Sequence, residues 1–250
     1  MPCMIDYKAA DHLLKDKVIL VTGAGDGIGR VAAKTFAAYG ATLVLLGRTI
    51  SKLEAVYDEI EVAGGAQPAI YPLNLEGATH KDYVELGERL GETFGRLDGL
   101  LHNASLLGKI TPLEAYHPEL WQQVMQVNCN APFMLTQGVL GALKASEDAS
   151  VIFTSSSVGR RARAFWGAYA VSKFATEGLM QVLADELEHT GTIRVNSINP
   201  GATRTQMRRK AYPGEDPQSL LTPEEIMPTY LYLMGADSRG VTGQAFDAQS

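Results

Sequence analysis

The chain has 250 residues, 46% of them hydrophobic and 20% charged, and a formal net charge of −6. This is the composition of a globular protein with a sizeable core, and its acidic balance argues against nucleic acid or an anionic membrane as the main partner. Two cysteines, Cys3 in an N-terminal stretch read as mobile and Cys129 in a helical pattern, speak against a disulfide framework and fit a reducing, cytoplasmic setting.

The segment MPCMIDYKAADHLLKDK mixes charges of both signs without an apolar stretch, so no signal peptide is expected, and no apolar run is long enough to span a membrane. Short apolar, β-branched runs then alternate with longer helical patterns. KVILVT (17–22) precedes a helical stretch over 28–39, ATLVLL (41–46) precedes 50–63, and QPAIYPL (67–73) precedes 78–93. LDGLLHN (97–103) precedes a long helix over 117–144, and ASVIFTS (149–155) precedes 166–189. TIRVNSI (192–198) and VTGQAF (241–246) close the series around a helix near 223–234. Strands that read as continuous apolar runs are buried on both faces. Their alternation with helices predicts right-handed βαβ units. The expectation is one α/β domain over 1–250, a Rossmann-type doubly wound parallel sheet of about seven strands with helices on both faces. The irregular segment 205–221 follows the C-terminal end of a strand, where open α/β sheets bind ligands, so 205–234 is the expected substrate side.

The first strand runs straight into TGAGDGIG (22–29). Gly23, Gly27 and Gly29, with Asp26 and Ile28 between them, form a strand-to-helix turn whose main-chain amides can approach a pyrophosphate at a helix N-terminus. The second strand ends in LLGRT, where a carboxylate would accept a bond from the ribose 2′-hydroxyl of NAD. Arg48 stands there instead, and a guanidinium pairs with a 2′-phosphate, which favours NADP(H) over NAD(H). The other reading is an exposed loop arginine, with Asp26 or another group at the ribose.

Further on, Tyr169 and Lys173 are four apart in GAYAVSKFATEG, on one helical face, and Ser156 lies thirteen residues earlier in TSSSVG. A phenol titrates near pH 10. A cation beside it lowers that value and makes the tyrosine a usable acid or base. Ser155 and Ser157 flank Ser156; the thirteen-residue interval and the following S-V-G favour Ser156.

The glycine loop, Ser156, Tyr169 and Lys173, in this order, resemble the short-chain dehydrogenase/reductase superfamily over about residues 15–246. Within it, VIFTSSSVGR, FATEGLMQVLADE and the FDAQ end are similar to the YciK-type oxidoreductases of Gram-negative bacteria, a subgroup that implies a chemistry and no substrate. The resemblance implies that TGAGDGIG is the phosphate loop and that Asn103 in HNAS lines the cofactor, with His102 and Ser105 departing from the family's NNAG. Asn74, followed by Leu75, stands where the family often has an adenine-contacting Asp. PGATRT (200–205) matches the stretch that binds the nicotinamide amide, with Pro200, Gly201, Thr203 and Thr205. Asn128 matches the catalytic asparagine. Pro132, four residues later, has no N–H for the Asn128 carbonyl, and the family's water relay from Asn128 to Lys173 would use that freed oxygen.

The implied reaction is hydride transfer between nicotinamide and a carbonyl or alcohol carbon, on a small-molecule substrate and without a metal. Tyr169 passes the proton, Ser156 binds the oxygen, and Lys173 holds the ribose and lowers the tyrosine pKa. No acidic residue lies between Asp148 and Glu177 or between Glu188 and Glu215, yet Arg160, Arg161, Arg163, Arg194, Arg204, Arg208, Arg209 and Lys210 do. An anionic substrate or a basic rim both follow. Phe165 and Trp166 are either an apolar wall or helix packing. The alternative function is an NADP(H)-binding sensor with little turnover. The helices at 117–144 and 166–189 are where the superfamily pairs subunits, so a homodimer or homotetramer is expected.

Overall fold

A computed structural model of the chain describes residues 2–249. β1 (Val18–Thr22), β2 (Thr42–Gly47), β3 (Ala69–Pro72), β4 (Gly99–His102), β5 (Ala149–Thr154), β6 (Ile193–Asn199) and β7 (Ala245–Asp247) form one parallel sheet in the order β3-β2-β1-β4-β5-β6-β7. β1 and β2 are apolar at nearly every position because alternate residues serve different cores. Ile19, Val21, Leu43 and Leu45 join Phe36, Tyr230 and Met234 on one face. Val18, Leu20, Val44 and Leu46 join Tyr83, Leu135 and Val139 on the other. Each such buried aliphatic side chain contributes about 1.5–3 kcal/mol.

α1 (Gly27–Ala38), α2 (Ile50–Val62) and α8 (Met227–Met234) cover the first face; α3 (His80–Phe94), α5 (Ala131–Lys144) and α6 (Gly167–Leu187) cover the second. The chain turns back between β1 and β4, and the loops leaving these two strands diverge there. This is the switch point at which open α/β sheets hold their ligands.

Three expectations need revision. The helix read over 117–144 is composite: α4 (Pro118–Met125), a π-helical turn over Gln126–Asn130, then α5. Pro132, the second residue of α5, offers no N–H to an α-helical bond, and the chain widens by one residue so that the Ala131 N–H meets the Gln126 carbonyl. Segment 205–221 is more ordered than its composition suggests. It contains α7 (Gln206–Ala211), and Arg204 donates to the carbonyls of Pro217 and Leu220 at 2.6 and 3.1 Å. The N-terminal stretch is also tied down: Cys3 bridges to Asp247 beside β7, and the Tyr7 hydroxyl donates to Asp237 at 2.7 Å. Cys3 and Cys129 are free thiols. Among the described residues, no helix is long and apolar enough to cross a membrane.

Candidate active site

A cavity of about 850 Å³ opens at the C-terminal edge of the sheet. Every candidate cofactor or catalytic residue read from the sequence lines it, except Gly29 and Asn128. Those two pack behind its walls. A Cβ on Gly29 would sit 2.3 Å from the Gly23 carbonyl oxygen and 2.5 Å from Asn103 Nδ2. The glycine therefore allows the first turn of α1 to press on the loop that feeds it. Asn128 is buried in the π turn. Its Oδ1 accepts from the Leu106 N–H at 2.7 Å, and its Nδ2 donates to the Leu106 carbonyl at 2.9 Å and to Ser172 Oγ at 3.0 Å. Its side chain fixes the cavity wall to α6.

Thr22, which sequence reasoning passed over, organises the floor. Its hydroxyl accepts from the N–H groups of Asn103 and Ala104 at 2.9 and 3.1 Å, joining the ends of β1 and β4. The signal was its place as the first residue of TGAGDGIG. Asp26 caps α1 by accepting from Gly27 N at 2.8 Å and meets Lys52 Nζ at 2.5 Å, a bond that holds its carboxyl below the usual range. Arg48 is exposed at the end of β2 and has no carboxylate partner among the described residues. Asn74 is exposed, its Oδ1 accepting from the Glu76 N–H at 3.3 Å, and Leu75 is buried.

Gln249 closes the opposite side. Its Nε2 donates to the Pro200 carbonyl at 2.7 Å and to Thr203 Oγ1 at 3.3 Å, while the Thr203 hydroxyl itself donates to Pro200 at 2.9 Å. The Thr203 hydroxyl is thus engaged within its own turn. Thr205 accepts from the Arg208 N–H at 3.1 Å and caps α7. In the sequence Gln249 figured only as the last residue of the FDAQ end, with no part in the site.

Tyr169, Lys173 and Ser156 face this cavity from α6 and from the loop after β5. Ser155 is buried and Ser157 exposed; Ser156, between them, is half-buried at the wall. Lys173 Nζ lies 5.6 Å from the centre of the Tyr169 ring. The expected lowering of the tyrosine pKa by this ammonium does not hold in the protein alone. Burial pushes the Tyr169 phenol up to about 12, with the Ser156 hydroxyl pulling weakly the other way. Lys173 points its ammonium at the Thr154 carbonyl, 2.7 Å away, and burial pulls it down to about 8 against the opposing influence of Glu177. His102, which departs from the family pattern, is buried, 2.9 Å from Thr136 Oγ1 and stacked 4.6 Å from Phe153; burial takes it down to about 3, so it is neutral.

The basic rim is smaller than the sequence suggests. Arg160 and Arg194 are structural: the first pairs with Glu177 and Asp247, the second with Asp148 beneath the sheet. Arg208 is paired with Glu215 at 2.5 Å. Arg163 is exposed, lines the cavity and has no carboxylate partner among the described residues. Trp166 is cavity wall, 5.8 Å from Tyr169 and 5.9 Å from Tyr212, whereas Phe165 is more than half exposed and lies outside it.

Comparison with known proteins agrees with this arrangement. Residues 17–216 match the short chain dehydrogenase family. The chain is 56% identical to the uncharacterized oxidoreductase YciK of Escherichia coli K12 over 243 residues, 97% of this chain and 96% of that one. A short chain dehydrogenase from Shigella flexneri 2a, complexed with NADP, is 56% identical with a TM-score of 0.94, covering 96% of this chain and all of that one (100%). Another from Escherichia coli CFT073, complexed with NADPH, is 57% identical with a TM-score of 0.93, covering 96% and 99%. The chain belongs to the short-chain dehydrogenase family of oxidoreductases.

Proposed function

We propose that this oxidoreductase uses NADP(H) to interconvert a carbonyl compound and its alcohol, with Tyr169, Lys173, Ser156 and Asn128 as its catalytic group. The residues present fit a dinucleotide. A glycine turn feeds the N-terminus of α1, and among the described residues Arg48 at the end of β2 has no carboxylate partner and the hydroxyls of Ser105 and Ser155, buried at the cavity wall, have no protein partner. Relatives of 56% and 57% identity carry NADP and NADPH. The bound nicotinamide would supply or accept the hydride.

The observation that carries the reading is Tyr169 itself. Its phenol is buried at the cavity wall, keeps its proton at neutral pH, and has Ser156 beside it and Lys173 one turn along. A phenol in that state is a proton donor for a carbonyl oxygen, and the Ser156 hydroxyl can stabilise the charge developing there. Lys173, brought near 8, can return a proton to the tyrosine. A panel of carbonyls and alcohols assayed with both cofactors, on the wild type and Tyr169→Phe, tests this. The variant should keep NADPH binding and lose turnover by about 10²–10⁴. Substantial residual turnover would remove Tyr169 from the role.

The substrate, in this reading, carries an anionic group that meets Arg163, a cation of the wall without a carboxylate partner among the described residues. Arg163→Ala should raise KM for anionic carbonyls and leave neutral ketones unchanged; equal effects on both would argue against it. The exposed apolar residues Phe133 on α5 and Val171, Phe174 and Val182 on α6 support a homo-oligomer paired through these helices, which light scattering would reveal.

A further inference from the structure

One half-buried guanidinium ties the loop after β5 to α6 and β7. Arg160 lies just past the Ser156 loop. Its Nε donates to Glu177 Oε1 on α6 at 3.2 Å, and its other nitrogens donate to Asp247 Oδ1 at 2.6 Å and the Phe246 carbonyl at 2.7 Å on β7. Glu177 Oε2 accepts from the Ser197 hydroxyl of β6 at 2.6 Å. Asp247 Oδ1 also accepts from Asn199 Nδ2 at 2.8 Å, and Asn199 Oδ1 accepts from the Gly201 N–H at 3.1 Å. The side chains of Arg160 and Glu177 are only 14% and 10% exposed, so their charges need each other. Gly159 sets the distance. A Cβ there would sit 2.7 Å from Lys173 Cβ and 2.8 Å from the Lys173 main-chain carbonyl carbon, so only glycine lets the loop lie directly on that lysine.

We infer that Arg160 and Glu177 are positioning residues for the reaction, which rests on the reading of Tyr169 and Lys173 above: as a pair they clamp the Ser156 loop onto the catalytic helix and balance the charge one turn beyond Lys173. The groups facing Lys173 are few. Tyr169 and Glu177 flank it along α6, Arg160 approaches from the loop with Asp247 of β7 beyond it, and His102 of β4 is neutral. A negative charge at Glu177 favours the protonated lysine, and because Arg160 is paired with that carboxylate, its positive charge should offset part of that influence.

Removing the two members of the pair therefore has opposite effects. Glu177→Gln deletes a negative charge and should move the Lys173 titration down by roughly one pH unit; Arg160→Met exposes Lys173 to unbalanced carboxylates and should move it up by a similar amount. Arg160→Lys keeps the charge and should return it. The titration is read from the ¹³C resonance of the lysine ε-carbon in labelled protein, assigned with Lys173→Met, and needs neither substrate nor cofactor. In turnover, Arg160→Met should lower kcat by roughly 10–100-fold through misplacement of Ser156, with a smaller change in KM for NADPH. An unmoved Lys173, or shifts of the same sign in both variants, overturns the inference. If Arg160→Met does not fold, Glu177→Gln decides alone, since a purely structural role predicts no downward shift. The outcome is separable from the reading it rests on. A fully active Tyr169→Phe overturns the reading whatever Lys173 does, and an unmoved Lys173 beside an inactive Tyr169→Phe overturns the inference only.

Discussion

The Lys173 ammonium donates to the main-chain carbonyl of Thr154 at 2.7 Å. Thr154 is the last residue of β5 and stands two residues before Ser156. One bond thus fixes the helix that carries Tyr169 against the strand that launches the serine loop. It also keeps a charge in a place where burial disfavours charge, which has a thermodynamic consequence.

Burial lowers Lys173 to about 8, below its unfolded value near 10.4. Between those values the folded chain binds fewer protons than the unfolded one, so stability rises with pH across that window. Below it the buried charge is a full penalty. Lys173→Met deletes the charge and keeps most of the stem. At pH 7 it should be more stable than wild type by on the order of 3 kcal/mol, at about 1.4 kcal/mol per pKa unit, while losing most of its turnover. Urea denaturation at pH 7 and pH 10 checks the sign: the gap should shrink at the higher pH. A gap that is absent at pH 7, or constant, contradicts the argument.

The same lysine shows where the sequence stopped being legible. Strand and helix order was readable because continuous apolar runs have one common cause, burial on both faces. The glycine loop, Tyr169, Lys173 and Ser156 were readable because each needs a fixed spacing. The acidity of Tyr169 was not, because it depends on burial and on which way Lys173 turns, and neither is written in a four-residue interval. Gln249 and Thr22 escaped for a related reason. Their partners, Pro200 and Asn103, are remote in the chain and meet them only through the sheet. The arginines misled in the opposite direction. Arg160 and Arg194 sit in stretches without acids, yet their carboxylates arrive from other elements.

His102 offers a second pH signature. Burial lowers it to about 3, so the folded chain binds fewer protons than the unfolded one between about pH 3 and 6.5, and stability falls as pH drops through that range. At pH 5 the loss from this one residue is about 2 kcal/mol relative to pH 7. His102→Gln keeps a polar atom for Thr136 and removes the titration. Its stability at pH 7 should fall through lost stacking on Phe153, but its decline from pH 7 to pH 5 should be shallower than that of the wild type. Parallel declines in the two proteins would show that His102 does not titrate in this way.

Two glycines of the turn between β1 and α1 should respond differently to one methyl group. At Gly29 the added carbon meets the Gly23 carbonyl oxygen at 2.3 Å, a contact that only a main-chain shift relieves. Gly29→Ala should therefore cost about 1–3 kcal/mol of stability and disturb the loop even without a ligand. At Gly27 the nearest atom would be Thr205 Cγ2 at 3.8 Å, so only the left-handed backbone at φ +52° resists. Gly27→Ala should cost about 1 kcal/mol. Thermal melts of the two variants should rank Gly29→Ala lower. The reverse order would mean that backbone strain, not crowding, selects glycine here.

In the proposed function Arg48 is the residue that sets the cofactor preference. Two other charged groups stand nearby, and both are engaged: Asp26 caps α1 and holds Lys52 at 2.5 Å. That pairing removes Asp26 as the natural acceptor for a ribose hydroxyl and removes Lys52 as a spare cation. Arg48, exposed at the end of β2 and without a carboxylate partner among the described residues, would then be the cation that meets a 2′-phosphate in the proposed function. A hydrogen bond to a charged group contributes about 1.5–3 kcal/mol, which corresponds to a factor of roughly 10–100 in binding. Arg48→Asp should lower the preference for NADPH over NADH by at least that factor, since it also places a like charge opposite the phosphate. Arg48→Ala should produce the loss for NADPH with little change for NADH. The dissociation constants of both cofactors, measured by the quenching of Trp166 in the cavity wall, give the ratio without any substrate. A ratio unchanged in both variants would return the role to another group and leave Arg48 as a loop residue.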